Sequence, residues 1–225
     1  MTGMKRILII AAHADDEVLG AGGIIHRWVR EGKDVACLFL ADGETSRAGG
    51  EERIGQRTCG AEAAAAVLGH QILATLNFPD NRLDQVPLLD IVQAIEPHIA
   101  AYAPDTVLTH SAADLNADHR RALEATLTAC RPLPGHPVQR IASFEVVSAT
   151  GWNPASAAFN PNCYIALSEQ DWNKKQEALQ CYDAEMRAYP HYRSYQAVDA
   201  LAQMRGASAG VERAEALTIL RWLEN

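Results

Sequence analysis

Histidines and carboxylates crowd two short stretches of this chain. His13-Ala14-Asp15-Asp16-Glu17 sets an imidazole beside three consecutive acids, and a second cluster runs from His110 through Asp114, Asn116 and Asp118 to His119. Adjacent carboxylates repel one another unless a cation or a helix N-terminus offsets their charge. Helix capping is the plain explanation for Asp15 and Asp16, and an N-cap at Asn116 would place Asp118 and His119 in a first helical turn. Capping leaves the histidines unexplained. His13, Asp16 and His119 offer two imidazoles and one carboxylate, donors that zinc takes at about 2.0–2.2 Å, and three protein ligands leave a position open for water. One zinc per chain is the expectation, and iron(II) tolerates the same donors. A divalent ion brings the pKa of its water toward about 7. Asp15, next to a ligand but aimed elsewhere, is then the expected general base, able to return the proton to a leaving amine. The ion would also polarise an amide carbonyl and share the oxyanion's charge.

Both clusters need rigid elements behind them, and the apolar pattern supplies strand ends. Arg6–Ala12 is a continuous apolar run, as in a strand buried on both faces, and it stops one residue before His13. Pro104–Thr109 is a second such strand, ending at His110. Asp34–Leu40 and Arg140–Val147 read as further strands, with helices over Glu17–Glu31, Gln56–Leu68, Val86–Tyr102 and Ala117–Cys130 between them. A kink is expected at Pro97. Strand and helix alternating in this way predict an α/β fold, a mostly parallel sheet covered by helices, with ligands bound beyond the carboxyl ends of strands. After residue 150 the pattern changes: a short strand over Asn162–Ala166, then helices over Glu169–Arg187 and Tyr195–Met204, separated at Tyr189-Pro190. One domain over 1–225 is expected, its core running to 150 and an extension over 151–225 shaping the mouth of the site.

Composition narrows the function classes. With 20 Lys and Arg against 28 Asp and Glu, the formal net charge is −8, and no basic stripe overrides it, so nucleic-acid binding is not expected. No run is apolar enough for a signal peptide or a membrane span. The five cysteines, Cys37, Cys59, Cys130, Cys163 and Cys181, are scattered and never form CxxC, which suits reduced thiols in a cytoplasmic protein. Gly20-Ala21-Gly22-Gly23 superficially suggests a dinucleotide-binding oxidoreductase. Those glycines lie inside the helix, and three carboxylates stand where a pyrophosphate would meet backbone N–H groups.

AHADDEVLGAGG (Ala12–Gly23) and THSAADLNADHR (Thr109–Arg120) resemble the two metal motifs of the LmbE-like deacetylases related to PIG-L. DGETSR (Asp42–Arg47), Arg57, FPDNRL (Phe78–Leu83), FNPNCYIAL (Phe159–Leu167), Lys175 with Tyr182 and Glu185, and AEAL (Ala214–Leu217) look like the family's other landmarks. The resemblance implies a Rossmann-like fold, zinc, and hydrolysis of the N-acetyl group of an N-acetylglucosamine-type amino sugar or its conjugate. It implies a homo-oligomer as well, a trimer or hexamer. Its ligands fall on His13, Asp16 and His119, its base on Asp15, and a substrate-contacting arginine on Arg57. Three departures stand out. Ala14 replaces the usual proline, Gly60 stands where many members carry Glu, and Asn116 stands where some carry a histidine that assists the oxyanion or leaving group. Asn116 can donate a hydrogen bond but not a proton, so His110 is the candidate for that catalytic role.

Asp118, His191 and Arg193 join Arg57 as candidate substrate contacts, the last two because YPHYRS follows the helix expected to close the site. Glu145 faces the same crevice or sits inward as a satisfied acid, and Trp152 stacks on a sugar ring or packs in the core. His26, His70, His98 and His136 read as packing or surface residues. A closed structural zinc site would normally recruit cysteine, and none lies near either cluster. Hydrolysis of a non-sugar amide is the remaining alternative.

Overall fold

The computed structural model of the chain describes residues 3–46, 50–153 and 158–224. Arg47, the last residue of the DGETSR stretch, lies outside them. Five parallel strands, Arg6–Ala11 (β1), Asp34–Ala41 (β2), Gln71–Phe78 (β3), Thr106–Thr109 (β4) and Arg140–Phe144 (β5), form most of a seven-stranded sheet. Cys163–Ala166 (β6) and Ala214–Trp222 (β7) complete it in the order β3-β2-β1-β4-β5-β7-β6, with β7 antiparallel to both its neighbours. The residues beyond 150 therefore extend the sheet.

The helices are Asp16–Arg30 (α1), Ile54–Leu68 (α2), Leu88–Tyr102 (α3), Ala117–Ala129 (α4), Val147–Thr150 (α5), Glu169–Gln180 (α6) and Tyr195–Ala209 (α7). They cover both faces of the sheet. Because strand side chains alternate, β1 serves two cores at once. Ile7, Ile9 and Ala11 pack with α1, α2, α6 and α7, whereas Leu8 and Ile10 pack with α3 and α4. Every position of β1 after Arg6 is buried, which is why its sequence is an unbroken apolar run. Helix α3 runs from Leu88 to Tyr102 with Pro97 inside it, so the proline expected to kink the helix does not interrupt it.

The interruption falls in α1, at Ala21, whose φ of −146° departs from the helix. Its cause is close packing. A Cβ on Gly20 would stand 2.3 Å from the Phe144 ring, and one on Gly23 2.5 Å from Leu167. The backbone groups freed by the break find buried partners: Glu215 accepts from the N–H groups of Gly23 (3.2 Å) and Ile24 (2.7 Å), and Lys175 donates to the Leu19 carbonyl (2.8 Å). Lys175 and Glu215 are themselves paired at 2.5 Å. An acid from β7 thus caps the second half of α1, and a lysine from α6 caps the first.

Candidate metal centre

The chain leaves β1 toward β2 on one side, and β4 lies on the other, so the carboxyl ends of β1 and β4 flank a topological switch point. Both histidine–carboxylate clusters emerge there. The turn after β1 is tight enough to place Asp15 at φ 129°, a conformation that costs a non-glycine residue on the order of 1–3 kcal/mol. Asp15 is the N-cap of α1, yet its side chain makes no capping hydrogen bond. Capping therefore does not explain it. At the second cluster Asn116 does cap α4, its side chain accepting from the Asp118 N–H at 2.8 Å.

His13, Asp16 and His119 are buried and converge, with one donor atom from each lying within 4.8 Å of the others. Asp16 Oδ2 is 3.3 Å from His13 Nδ1 and 3.2 Å from His119 Nε2. Donors about 2.0–2.2 Å from a tetrahedral ion sit about 3.3–3.6 Å apart; the His13 separation meets the lower limit and the His119 one falls about 0.1 Å short of it. The far side of each imidazole is fixed by carboxylates. His13 Nε2 meets Asp118 at 3.0 Å and Asp80 at 3.1 Å, and His119 Nδ1 meets Asp114 at 2.8 Å. This is the outer arrangement that orients metal-binding imidazoles. His119 Nε2 and Asp16 Oδ1 are buried without a hydrogen-bond partner, as ligand atoms awaiting a cation would be. Charge agrees with geometry: burial works against a proton on His119, but Asp16 and Asp114 outweigh it and push its pKa up to about 9. The site pulls hard on positive charge. The residues present fit a divalent ion.

Beside the triad, Asp15 is held between two guanidinium groups, Arg57 at 3.1 Å and Arg193 at 2.9 Å. Burial raises its pKa, while Arg193 and Arg57 pull it down. The backbone of Asp15 is anchored too, its N–H donating to Glu17 (2.9 Å), which accepts from the Tyr182 hydroxyl (2.7 Å). Burial lifts the Glu17 carboxyl to about 7 against those two hydrogen bonds.

Three expected roles need correction. His110 is fully buried behind the triad, stacked on His119 at 3.9 Å between centroids, and its Nε2 accepts from the Ala12 N–H at 2.9 Å. Burial first, then His119, depresses its pKa well below the usual histidine range. It is not placed to protonate a leaving group. Asp118 is also enclosed, with Oδ1 accepting from Leu83 N–H and Oδ2 from Asn81 N–H beside His13. It orients the His13 imidazole and has no oxygen free for a substrate. Arg57 spends its donors on the Ala14 carbonyl, Glu44, Glu185 and Asp15, so it holds Asp15 and does not line the cleft. Gly60 abuts the Cys181 carbonyl, which a Cβ would meet at 2.9 Å, so a Glu there would not fit.

Asn116, His119, Trp152, Glu185, His191 and Arg193 line an open cleft of about 350 Å³. Trp152 is thus a half-exposed cleft residue and not part of the core. Glu145 is an inward acid, paired with Arg205 at 2.7 Å. His26 pairs with Asp171. Sequence reasoning passed over Asp80 and Ser148, the latter accepting from Arg193 Nε at 3.1 Å. Asp80 stood inside the quoted FPDNRL, but nothing in the sequence marked Ser148. The five cysteines are free thiols. Among the described residues no helix is long and apolar enough to cross a membrane.

The sequence model of the PIG-L family, described as GlcNAc-PI de-N-acetylase, matches residues 8–130. An uncharacterized deacetylase, YaiS of Escherichia coli (strain K12), is 29% identical over 180 residues, 78% of this chain and 89% of its own length. Among solved structures, an N,N'-diacetylchitobiose deacetylase from Pyrococcus horikoshii aligns with a TM-score of 0.79 at 20% identity, over 97% of this chain and 85% of that one. GalB of Pseudomonas putida KT2440, a 4-carboxy-2-hydroxymuconate hydratase, aligns with a TM-score of 0.74 at 24% identity, over 99% of each chain. The shared fold supports a deacetylase and a hydratase alike, so the fold alone does not select the reaction.

Proposed function

This chain belongs to the PIG-L family, and from that premise we propose that it is a metal-dependent N-deacetylase whose centre is His13, Asp16 and His119. Its substrate is an N-acetylglucosamine-type amino sugar or conjugate, and its products are acetate and the free amine. The observation that carries this reading is the pairing of an oriented His–Asp–His triangle with a separate, ion-paired carboxylate at an open cleft. A divalent ion held by the triad, zinc by its donor set, supplies Lewis acidity toward the amide carbonyl and a water of lowered pKa.

The remaining work falls to side chains. Asp15 accepts the proton of the attacking water as the new C–O bond forms, and returns it to the amine nitrogen as the C–N bond breaks. Arg57 and Arg193 aim Asp15 and oppose the rise in its pKa that burial imposes. Asn116, half-buried at the cleft, is a neutral donor toward the substrate. His191 sits on the same wall, as a substrate contact. The protein acts in the cytoplasm and assembles as a homo-oligomer.

The test is amine release from a panel of N-acetylated sugars and non-sugar amides, with and without chelator. Asp15→Asn should keep the metal and lose about 10²–10⁴-fold in kcat, whereas His119→Ala should lose the metal as well. Undiminished turnover by Asp15→Asn would remove Asp15 as base. Amine release confined to non-sugar amides would remove the sugar.

A further inference from the structure

A hollow larger than the metal cleft lies close to it. On the other side of α5 lies a cavity of about 550 Å³ walled by Val147, Phe159, Tyr189, Tyr192, Leu201 and Met204. That volume falls in the range that holds a small organic ligand. Its charged lining is the pair Glu145 and Arg205, joined by two hydrogen bonds of 2.7 and 2.8 Å, with the guanidinium 5.5 Å from the centre of the Phe159 ring. Both charges are already matched there, so the hollow offers an ionic ligand nothing and an apolar one several aromatic and aliphatic walls.

Cavity and cleft are back to back. Ser148, Ala149 and Trp152 face the metal side of the wall, while Val147, Thr150 and Gly151 face the hollow. The segment after the second wall repeats the arrangement, with His191 and Arg193 on one side and Tyr189 and Tyr192 on the other. Trp152 stands at the boundary between the two spaces. Its ring is 5.2 Å from His191, in the cleft, and 5.7 Å from Tyr192, in the cavity. Several large side chains that the fold leaves exposed mark the same path: Leu115 and Trp152 at the cleft, then Tyr189 and Met204 at the cavity, each between 49% and 62% exposed. An apolar trail leading from a polar centre into a hollow is unfavourable in water and becomes favourable when a ligand covers it.

We propose that this cavity is an aglycone subsite: the amino sugar sits at the metal centre and an apolar alkyl or aryl aglycone crosses the Trp152 rim into the hollow. The inference rests on the proposed deacetylase reading and narrows its substrate to hydrophobic glycosides.

The test compares methyl, phenyl and hexyl 2-acetamido-2-deoxyglucopyranosides, in both anomers, by amine release and by calorimetric binding to the metal-loaded protein. The hexyl glycoside should show a KM and a Kd about tenfold or more below those of the methyl glycoside, with kcat little changed, since contacts made equally in ground and transition states lower KM alone. Ala200→Trp, on the exposed surface of α7 at the cavity, should fill the hollow and erase that advantage while leaving methyl-glycoside kinetics within about twofold. Met204→Glu should do the same by charging the wall. Equal constants for all three glycosides would overturn the subsite while leaving deacetylation intact. An advantage that survives Ala200→Trp and Met204→Glu would overturn its location. A rate that responds to free hexanol but not to aglycone length would mean that the cavity takes a separate molecule, and would overturn the aglycone assignment. Absence of turnover on every glycoside would count against the deacetylase reading instead, and the calorimetric comparison would still decide the subsite.

Discussion

The reach of each side chain at this centre is decided by what it already touches. Arg193 keeps one face on Ser148 and Glu185 and offers Asp15 a guanidinium nitrogen at 2.9 Å. Burial raises the Asp15 pKa, and Arg193 is the stronger of the two cations opposing that rise. Arg193→Gln should therefore raise it further, so the acid limb of kcat/KM moves to higher pH and activity at neutral pH falls about tenfold or more. A pH–rate profile checks this, and a limb that stays in place would exclude Arg193 as the partner of the base. The same residues show what a sequence can disclose. The convergence of His13, Asp16 and His119 was legible because the same donor types recur at two strand ends, and their role as ligands belongs to the proposal. Arg57, Asp118 and His110 were misread because sequence shows that a polar residue is near the centre but not that its hydrogen bonds are already taken.

At the scale of elements, α1 is two helices joined at a break, and Glu215 and Lys175 make the break tolerable. Glu215→Ala would strand a buried ammonium and two backbone N–H groups, a loss of about 3–5 kcal/mol for an uncompensated buried pair. Urea unfolding would read it, and a change under 1 kcal/mol would show that the break has other support. The junction of α2 and β3 holds a second liability. His70 is buried, and neither of its ring nitrogens has a hydrogen-bond partner. Burial pushes its pKa down to about 4. The unfolded chain takes up that proton near pH 6.5, so the stability present above pH 6.5 drains away as pH falls toward 4, about 2–3 kcal/mol by pH 4.5. His70→Leu should lose that much less between pH 7 and 4.5, measured as the difference in urea midpoints; equal losses in both proteins would show that His70 is not the cause. β3 and β7 escaped the sequence reading for a shared reason. Gln71–Phe78 lies at a sheet edge and is only half-buried, and β7 is buried at its start and exposed toward its end. Neither carries the unbroken apolar run that announced β1.

Across the whole molecule, the parallel sheet and the switch point were legible from the alternation of strand and helix. The insertion of β7 between β5 and β6 was not, because local pattern does not encode which strand a distant segment will join. The proposed metal should act at this largest scale as well, since His13, Asp16 and His119 would tie the turn after β1 to α1 and α4. At a free concentration about a hundredfold above Kd it adds about 2.7 kcal/mol, so chelation should lower Tm by roughly 5–10 °C in a chain of this size. A melt unmoved by chelator in metal-loaded protein would mean that the ion does not tie these elements together. The long span from Ile24 to Glu215, 191 residues apart, carries a further consequence for the order of manufacture. The ribosome releases α1 about 10–40 s before its capping acid at ordinary elongation rates of roughly 5–20 residues per second. Throughout that interval the N–H groups of Gly23 and Ile24 wait for their buried acceptor, so α1 reaches its broken, native form only after β7 has been made.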